Sequence, residues 1–489
     1  VEGIPEILKN MPRSLLISLL FIIILFQIFS EKIPVNEGAF GNGVFYREVA
    51  TAFLDQINSD DGYTFLQVQR ILPFALLNAI YILFGFDFDS NSLIIGMLIF
   101  NLLVITLGVY WYLKIIKKLR LNSKLEALGF ILLFLTFPVL KQYWYDPFTT
   151  DCLAFVLGIG QVNYFIRYEK SKLLLISLIG AFVWPIIFFA GLILLILPNK
   201  ALEVYQKERT KTFFPTFAIA VIIACAVILS YSFDRVGQNF TTHAVIWHKL
   251  SLLSLTLFLR YVMVNNPINW EKSLPLLLKN FQFKNLFTVI TASLGITLII
   301  LLISSNNTQI NLFQWFQNFW NKNLRYPLDF LPAHTIYYGF LFPILIVFIN
   351  RVNKAIAKLG VGFFVLFLII AFLTIHPESR LLISFVPFLV LMILKALRRY
   401  NLSNTDLYTV FVINILLSSF WLPINSEQLI NTLSQGTYPQ SFADWKYFIH
   451  FGQYFNFWTY LMATLLFALL IYVSTQFKKR YFREKEYES

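Results

Sequence analysis

The chain has 489 residues, 58% of them hydrophobic and only 13% charged, with a mean hydropathy of +0.68. That leaves too little polar surface to coat a soluble globule of this size, so lipid is the solvent for most of it. The net charge of +13 would point to nucleic acid in a soluble protein, but the excess sits in short segments beside apolar runs. There it sets orientation and meets anionic headgroups, and no nucleic-acid partner is expected.

In hydrocarbon every backbone amide must be satisfied within its own segment or by closed pairing. Runs of about 20 apolar residues without strand alternation meet that demand as helices, which excludes a β-barrel. The expected fold is all-α, a polytopic transmembrane bundle of about 12–14 helices with further helices at the extracytoplasmic interface. Residues 1–489 form one domain, without linker or low-complexity tract.

The first apolar run, 15–29, follows Lys9 and Arg13 and has no small-residue cleavage site after it. It reads as a retained first helix with a cytoplasmic N-terminus. Residues 31–91 then make a long outer loop. The stretch 71–84 inside that loop is short for a span and carries Pro73 and Asn78, so it lies in or dips into the outer interface. Counting it as a crossing would push Lys114, Lys117, Lys118, Arg120 and Lys124 outside, against the positive-inside rule.

Spans follow at 93–113, 125–139 and 152–166, the last returning to Arg167, Lys170 and Lys172. The stretch 173–197 has basic residues on both flanks and Trp184-Pro185 in its middle, which predicts a broken hairpin of two half-helices. A single span with an inverted loop is the alternative. Further spans run at 213–232, 244–263, 286–303, 336–349, 363–375, 381–394, 407–420 and 457–473. Their inner ends carry Lys272, Lys279 and Lys284, then Arg351, Lys354 and Lys358, then Lys395, Arg398 and Arg399, then the tail 478–485. Every basic cluster thus falls on one side, facing outer loops at 141–151, 304–334, 376–380 and 422–456. Cys152 and Cys225 fall in or beside apolar spans and read as small buried hydrophobes, not as a disulfide or metal pair.

Asp146 and Asp151 stand out among the acidic residues. They lie in Tyr143-Trp144-Tyr145-Asp146-Pro147-Phe148-Thr149-Thr150-Asp151, a short connection that holds both carboxylates at the bundle mouth. The alternative is local: Asp146 turns the chain before Pro147, and Asp151 opens the next helix, where the dipole favours negative charge. The first loop offers Glu37, then Gly41-Asn42-Gly43-Val44-Phe45-Tyr46, then Asp60-Asp61, then Gln69-Arg70-Ile71-Leu72-Pro73. A carboxylate there suits proton abstraction from a hydroxyl. Asp60 and Asp61 also offer oxygens to a divalent cation, and no other cofactor signal stands out.

His376-Pro377-Glu378-Ser379-Arg380 makes an outward turn that holds a guanidinium at the membrane lip, a group suited to clasping phosphate. An ion pair with Glu378 or interfacial snorkelling is its structural alternative. His334 offers a ring nitrogen to a phosphate or a sugar. No nucleophile elbow, Walker loop or HExxH pattern occurs.

Gly43-Val44-Phe45-Tyr46 with Ala50, Gln69-Arg70-Ile71-Leu72-Pro73, the Asp146 to Asp151 segment, and Glu378-Ser379-Arg380 with Pro387 together resemble the GT-C superfamily of polytopic glycosyltransferases. The resemblance implies transfer of a sugar from a polyprenyl-phosphate donor to a glycan, lipid or protein acceptor on the extracytoplasmic side. It implies a multi-pass protein of the bacterial inner membrane, with its site facing the periplasm or exterior. Asp60, Asp61 or Glu37 would be the base, and Asp151 and Asp146 would position acceptor or metal. Arg380 would stabilise the lipid phosphate, and His334, Glu378, Arg70 and Tyr46 complete the substrate-binding candidates. One departure is Asn42, which stands directly before Gly43 where many such enzymes carry an acid. Two rival readings are a polysaccharide polymerase or O-antigen-ligase-like enzyme, and a lipid or solute transporter, the latter favoured by the broken hairpin.

Overall fold

The computed structural model describes residues 13–57, 59, 62–197, 201–202, 242–264, 283–306, 325–398, 402–424 and 450–487, with a few isolated positions between them. Helices dominate, and the strands Tyr63–Thr64 and Ser304–Asn306 pair as a two-stranded parallel ribbon. Helix α1 (Arg13–Ile28) is apolar all round: Leu16, Leu20 and Ile24 face the core, and Ile22, Leu25 and Phe26 face outward. After it come α2 (Asn42–Ile57) and strand β1 (Tyr63–Thr64). A helical turn at Phe65–Val68 follows, started by the reciprocal Thr64 and Gln67 capping box. Helix α3 (Leu72–Phe84) ends at Gly85, whose φ of +68° closes the helix in the left-handed region. At 13 residues α3 is about 20 Å long and packs on α2.

Helix α4 (Ser90–Leu119) begins where Asp89 accepts the Ser92 amide at 2.6 Å, and its last turn holds Lys117 and Lys118. The chain returns through α5 (Ser123–Phe134). The span expected at 125–139 does not run straight. It bends by 56° and continues as a π-type turn, Pro138–Gln142, and a short helix, Tyr143–Tyr145. Pro138 supplies no amide hydrogen, which favours a break there. The outer loop expected at 141–151 is therefore helical and buried over its first five residues, and only 146–150 form the connection.

Helix α6 (Asp151–Arg167) runs parallel to α4, with Cys152 level with Asn101, Val156 with Gly108, and Tyr164 with Trp111. Helices α7 (Lys170–Gly180) and α8 (Pro185–Ile196) then fold back on each other, turning at the Trp184-Pro185 position expected for the break. A Cβ on Gly180 would stand 2.5 Å from Ile187, and one on Gly191 only 1.7 Å from Ser177 Oγ. The legs are about 17 and 18 Å long, against about 30 Å of bilayer hydrocarbon.

Past α9 (Thr242–Val264), α10 (Phe283–Ile303) and β2 (Ser304–Asn306), which pairs with β1, come α11 (Phe330–Tyr338) and α12 (Leu341–Val347). A single span was expected at 336–349. The chain breaks instead at Gly339, whose φ is +68° and whose Cβ would lie 2.3 Å from Asn414 Oδ1. Asn414 fills the break, accepting the Phe340 amide at 2.8 Å and donating to the Ile131 carbonyl at 3.2 Å. Helix α13 (Ile349–Leu359) replaces an expected inner loop. It buries Val352, Ala355, Ile356 and Leu359 and exposes Lys354 and Lys358. Helix α14 (Val361–Thr374) leads to a 3₁₀ turn, Ser379–Phe385, and on to α15 (Val386–Leu397), α16 (Asn404–Ser418) and α17 (Phe457–Tyr487).

Four of the described stretches are long and apolar enough to cross a bilayer: Ser90–Leu119, Phe283–Ile303, Ser379–Leu397 and Phe457–Arg480. The bent pair 123–145 makes up to five. The dozen or so straight crossings expected from hydropathy are thus not all realised among the described residues. Arg13–Ile28, Leu72–Phe84, Pro185–Ile196 and Val361–Thr374 are shorter apolar helices. The span expected at 213–232 and Cys225 lie outside the described residues, as does much of the loops at 304–334 and 422–456.

Contacts sort the charges by end. At one end Arg13 pairs with Glu126 at 3.2 Å, Lys124 reaches the Leu402 carbonyl at 2.8 Å, and Arg480 pairs with Asp406 at 3.1 Å. At the other end sit Glu31 with Lys141, and Asp151 with Arg380.

Candidate functional site

The site is built where α6 starts, against the 3₁₀ turn that opens at Ser379. Asp151 begins α6 with no exposed surface, and Arg380 lies across from it with its side chain 30% exposed. Arg380 Nε donates to Asp151 Oδ2 at 2.8 Å and Nη2 to Oδ1 at 3.3 Å, a two-pronged pair joining residues 229 apart in sequence. Gln142, from the π-type turn, donates its Nε2 hydrogen to Asp151 Oδ2 at 3.0 Å and accepts the Tyr337 hydroxyl on its Oε1. Tyr338 donates its hydroxyl to the Ser379 carbonyl. The carboxylate is thus buried and held by three donors. The guanidinium is the member of the pair that reaches open space, below the ring of Phe451 at 5.8 Å.

Close packing fixes the register of this pair. A Cβ on Gly158, two turns along α6, would lie 2.1 Å from the Ser384 carbonyl oxygen, so α6 meets the 3₁₀ turn backbone to side. Only glycine allows this approach. Asp146 is buried five residues before Asp151, its amide donating to the Gln142 carbonyl at 2.9 Å.

The first-loop candidates divide. Gly43 packs on the 146–150 connection, where a Cβ would meet the Phe148 carbonyl oxygen at 3.2 Å, so the structure brings that motif to the Asp151 segment. Tyr46 is buried and stacks on Phe74, with centroids 4.6 Å apart and planes at 10°, which gives it a packing role. Glu37 is largely exposed and is engaged by Arg47 and the Ser90 hydroxyl, not by Asp151 or Arg380. Arg70 lies over Trp184 at 4.4 Å, and the Leu72 amide donates to the Phe182 carbonyl at 3.1 Å, so the Gln69 to Pro73 motif docks on the turn of the α7–α8 hairpin. Asp60 and Asp61 lie outside the described residues.

His334 is fully buried with both ring nitrogens engaged, Nδ1 with Ser379 Oγ at 2.9 Å and Nε2 with the Thr374 carbonyl at 2.8 Å. It braces the turn that carries Arg380 and offers no ring nitrogen to a ligand. Glu378 is partly exposed, and its amide donates to His376 Nδ1 at 3.0 Å. Among the described residues no three His, Cys, Asp or Glu side chains gather as a metal cluster.

Sequence reasoning missed Gln142 and Tyr337, the residues that complete the hydrogen bonding around Asp151. The glutamine beside Tyr143-Trp144-Tyr145 was the available signal, since an amide buried among aromatics needs a partner. It also missed Glu31, whose carboxylate sits 3.6 Å from the buried Lys141 ammonium and accepts the Ile424 amide.

Beside them Lys32 caps α1 by donating to the carbonyls of Gln27, Ile28 and Ser30. Burial pushes its ammonium down to about 8, Lys141 adds repulsion, and Glu31 opposes the shift. The unfolded chain therefore holds more protons than the folded one between about 8 and 10.5, and stability should rise with pH across that window. Below about 8 the cost of the charged ammonium is fully present. Thermal unfolding from pH 7.5 to 10.5 should show this slope, and Lys32→Gln should flatten it.

Comparison with known protein families, with curated proteins and with solved structures yields no match.

Proposed function

We propose that this chain is an integral-membrane glycosyltransferase that moves a sugar from a polyprenyl-phosphate-linked donor to an acceptor at the non-cytoplasmic end of the bundle. The observation that carries the reading is the Asp151–Arg380 pair, a buried carboxylate holding a partly exposed guanidinium at the end of the bundle away from the basic clusters. A fixed guanidinium is pre-organised for charge that develops on a phosphate oxygen as it leaves.

In this reading Arg380 receives the lipid phosphate as the bond from the anomeric carbon to the phosphate oxygen breaks. The acceptor oxygen forms the new glycosidic bond, and its proton passes to a first-loop carboxylate. Asp60 or Asp61 fills that role, because Glu37 is engaged by Arg47 and Ser90. Asp151 orients Arg380 and takes no proton. Lipid phosphate is a fair leaving group, so in-line placement of the substrates supplies most of the acceleration.

Two further observations support the assignment. The Gly43 motif packs on the segment that leads into Asp151, and the Gln69 to Pro73 motif docks on the α7–α8 turn. Basic clusters gathered at the opposite end fit a site on the extracytoplasmic side of a bacterial inner membrane. The test is incubation of purified protein with a panel of polyprenyl-phosphate sugars and candidate acceptors, following release of the lipid phosphate. Release that disappears in Arg380→Ala is the expected result. No release with any donor, alongside accumulation of a solute or flipped lipid in vesicles, would replace the enzyme by a carrier.

A further inference from the structure

At the end of the bundle remote from Asp151 the described residues hold more basic than acidic side chains. Three elements far apart in sequence bring it together: α13 supplies Arg351 and Lys358, the end of α15 supplies Lys395 and Arg398, and α17 supplies Lys478 and Arg480. Lys395 feels the charges of both Arg398 and Lys358, and Lys478 feels that of Arg351. Arg480 is matched by Asp406 at 3.1 Å. Among the described residues none of the other five has a carboxylate within ion-pair distance.

Lys358 and Arg398 are exposed, whereas Arg351, Lys395 and Lys478 are held partly buried. Lys478 donates to the Val347 carbonyl at 3.0 Å and lies 5.9 Å from the centre of the Phe348 ring, and Arg351 lies 5.9 Å from that of Tyr400. Like charges held at a partly buried surface repel more strongly than solvated ones, because the local dielectric is lower. An anion shared among them removes that repulsion, and basic pockets between helices on this side of a membrane protein suit lipid headgroups. Beside the cations a cleft opens between Phe348, Leu397, Tyr400 and Phe477, lined also by Ser403 and the Asp406–Arg480 pair. The surface therefore joins several cations without an ion-pair partner among the described residues to a largely apolar cleft, which fits a phosphate carried on an acyl chain better than a free phosphate.

We propose that Arg351, Lys358, Lys395, Arg398 and Lys478 form a headgroup site for an anionic phospholipid, with the Phe348 and Tyr400 cleft taking part of an acyl chain. The site is separate from the Asp151–Arg380 pair and stands whatever reaction that pair serves. The test reconstitutes the full chain with phosphatidylglycerol and phosphatidylcholine, then measures retained lipid by native mass spectrometry and unfolding temperature in vesicles of each lipid.

The wild type should retain phosphatidylglycerol and unfold at a higher temperature in it. The triple variant Arg351→Gln, Lys395→Gln, Arg398→Gln should lose affinity by about a hundredfold, and the single Arg398→Gln, at an exposed position, by about fivefold. A control triple at the same end of the bundle, Lys114→Gln, Lys117→Gln, Lys118→Gln, makes the same change in net charge and should behave as wild type. Equal lipid loss in both triples would reduce the effect to net charge and overturn the site. The same thermal shift from inorganic phosphate in phosphatidylcholine vesicles would overturn the lipid as occupant.

Discussion

Replacing Asp151 by Asn is expected to lower sugar transfer by about a hundredfold or more and to lower stability by about 3 kcal/mol. The two losses have different origins. Stability falls because Arg380 keeps its charge against a neutral amide that cannot hold both of its donated hydrogens, and breaking a buried pair by removing one partner is costlier than removing both. Transfer falls because an unheld guanidinium no longer waits in one geometry. The double variant Asp151→Asn, Arg380→Gln separates these effects. Its unfolding temperature should recover most of the loss, while lipid-phosphate release stays at the level of the single variant. Recovery of transfer together with stability would make the pair a structural brace and remove Arg380 from the reaction.

Gly158→Ala should be nearly as damaging although it touches neither partner. The new methyl group would stand 2.1 Å from the Ser384 carbonyl oxygen, a contact relieved only by moving α6 away from the segment that carries Arg380. Overpacking of this kind costs about 1–3 kcal/mol, and backbone on one side of the clash places it at the upper end. The displaced helix begins with Asp151, so transfer should fall with stability. Gly295→Ala is the control, because a Cβ there meets nothing within 4 Å. In the middle of α10 it should stabilise by about 0.5–1 kcal/mol through helix propensity. Unfolding temperatures of the two variants should move in opposite directions.

Much of the helical frame was legible because it rests on apolar runs longer than a turn or two. The break at Trp184-Pro185 was legible because proline, basic flanks and length all spoke locally. Asp151 and Arg380 were singled out by charge in short connections, and the fold brings the two together. The break at Gly339 was not legible, since it depends on Asn414 arriving from 74 residues away to satisfy the Phe340 amide. The winding of Pro138–Gln142 was hidden for the same reason. It aims Gln142 at Asp151 and Tyr337 and has no periodic signature of its own. His334 misled because a histidine placed in an outer loop looks available until both nitrogens are seen to be engaged.

The α7–α8 hairpin has a consequence for how the protein is made. Neither leg is long enough to be held by lipid as it leaves the insertion machinery, and the Ser177 hydroxyl and Ile187 carbonyl find Gln161 only once α6 is seated. Assembly is therefore expected to be ordered: α6 must be seated to receive this segment, because Gln161 supplies the donor that both legs share.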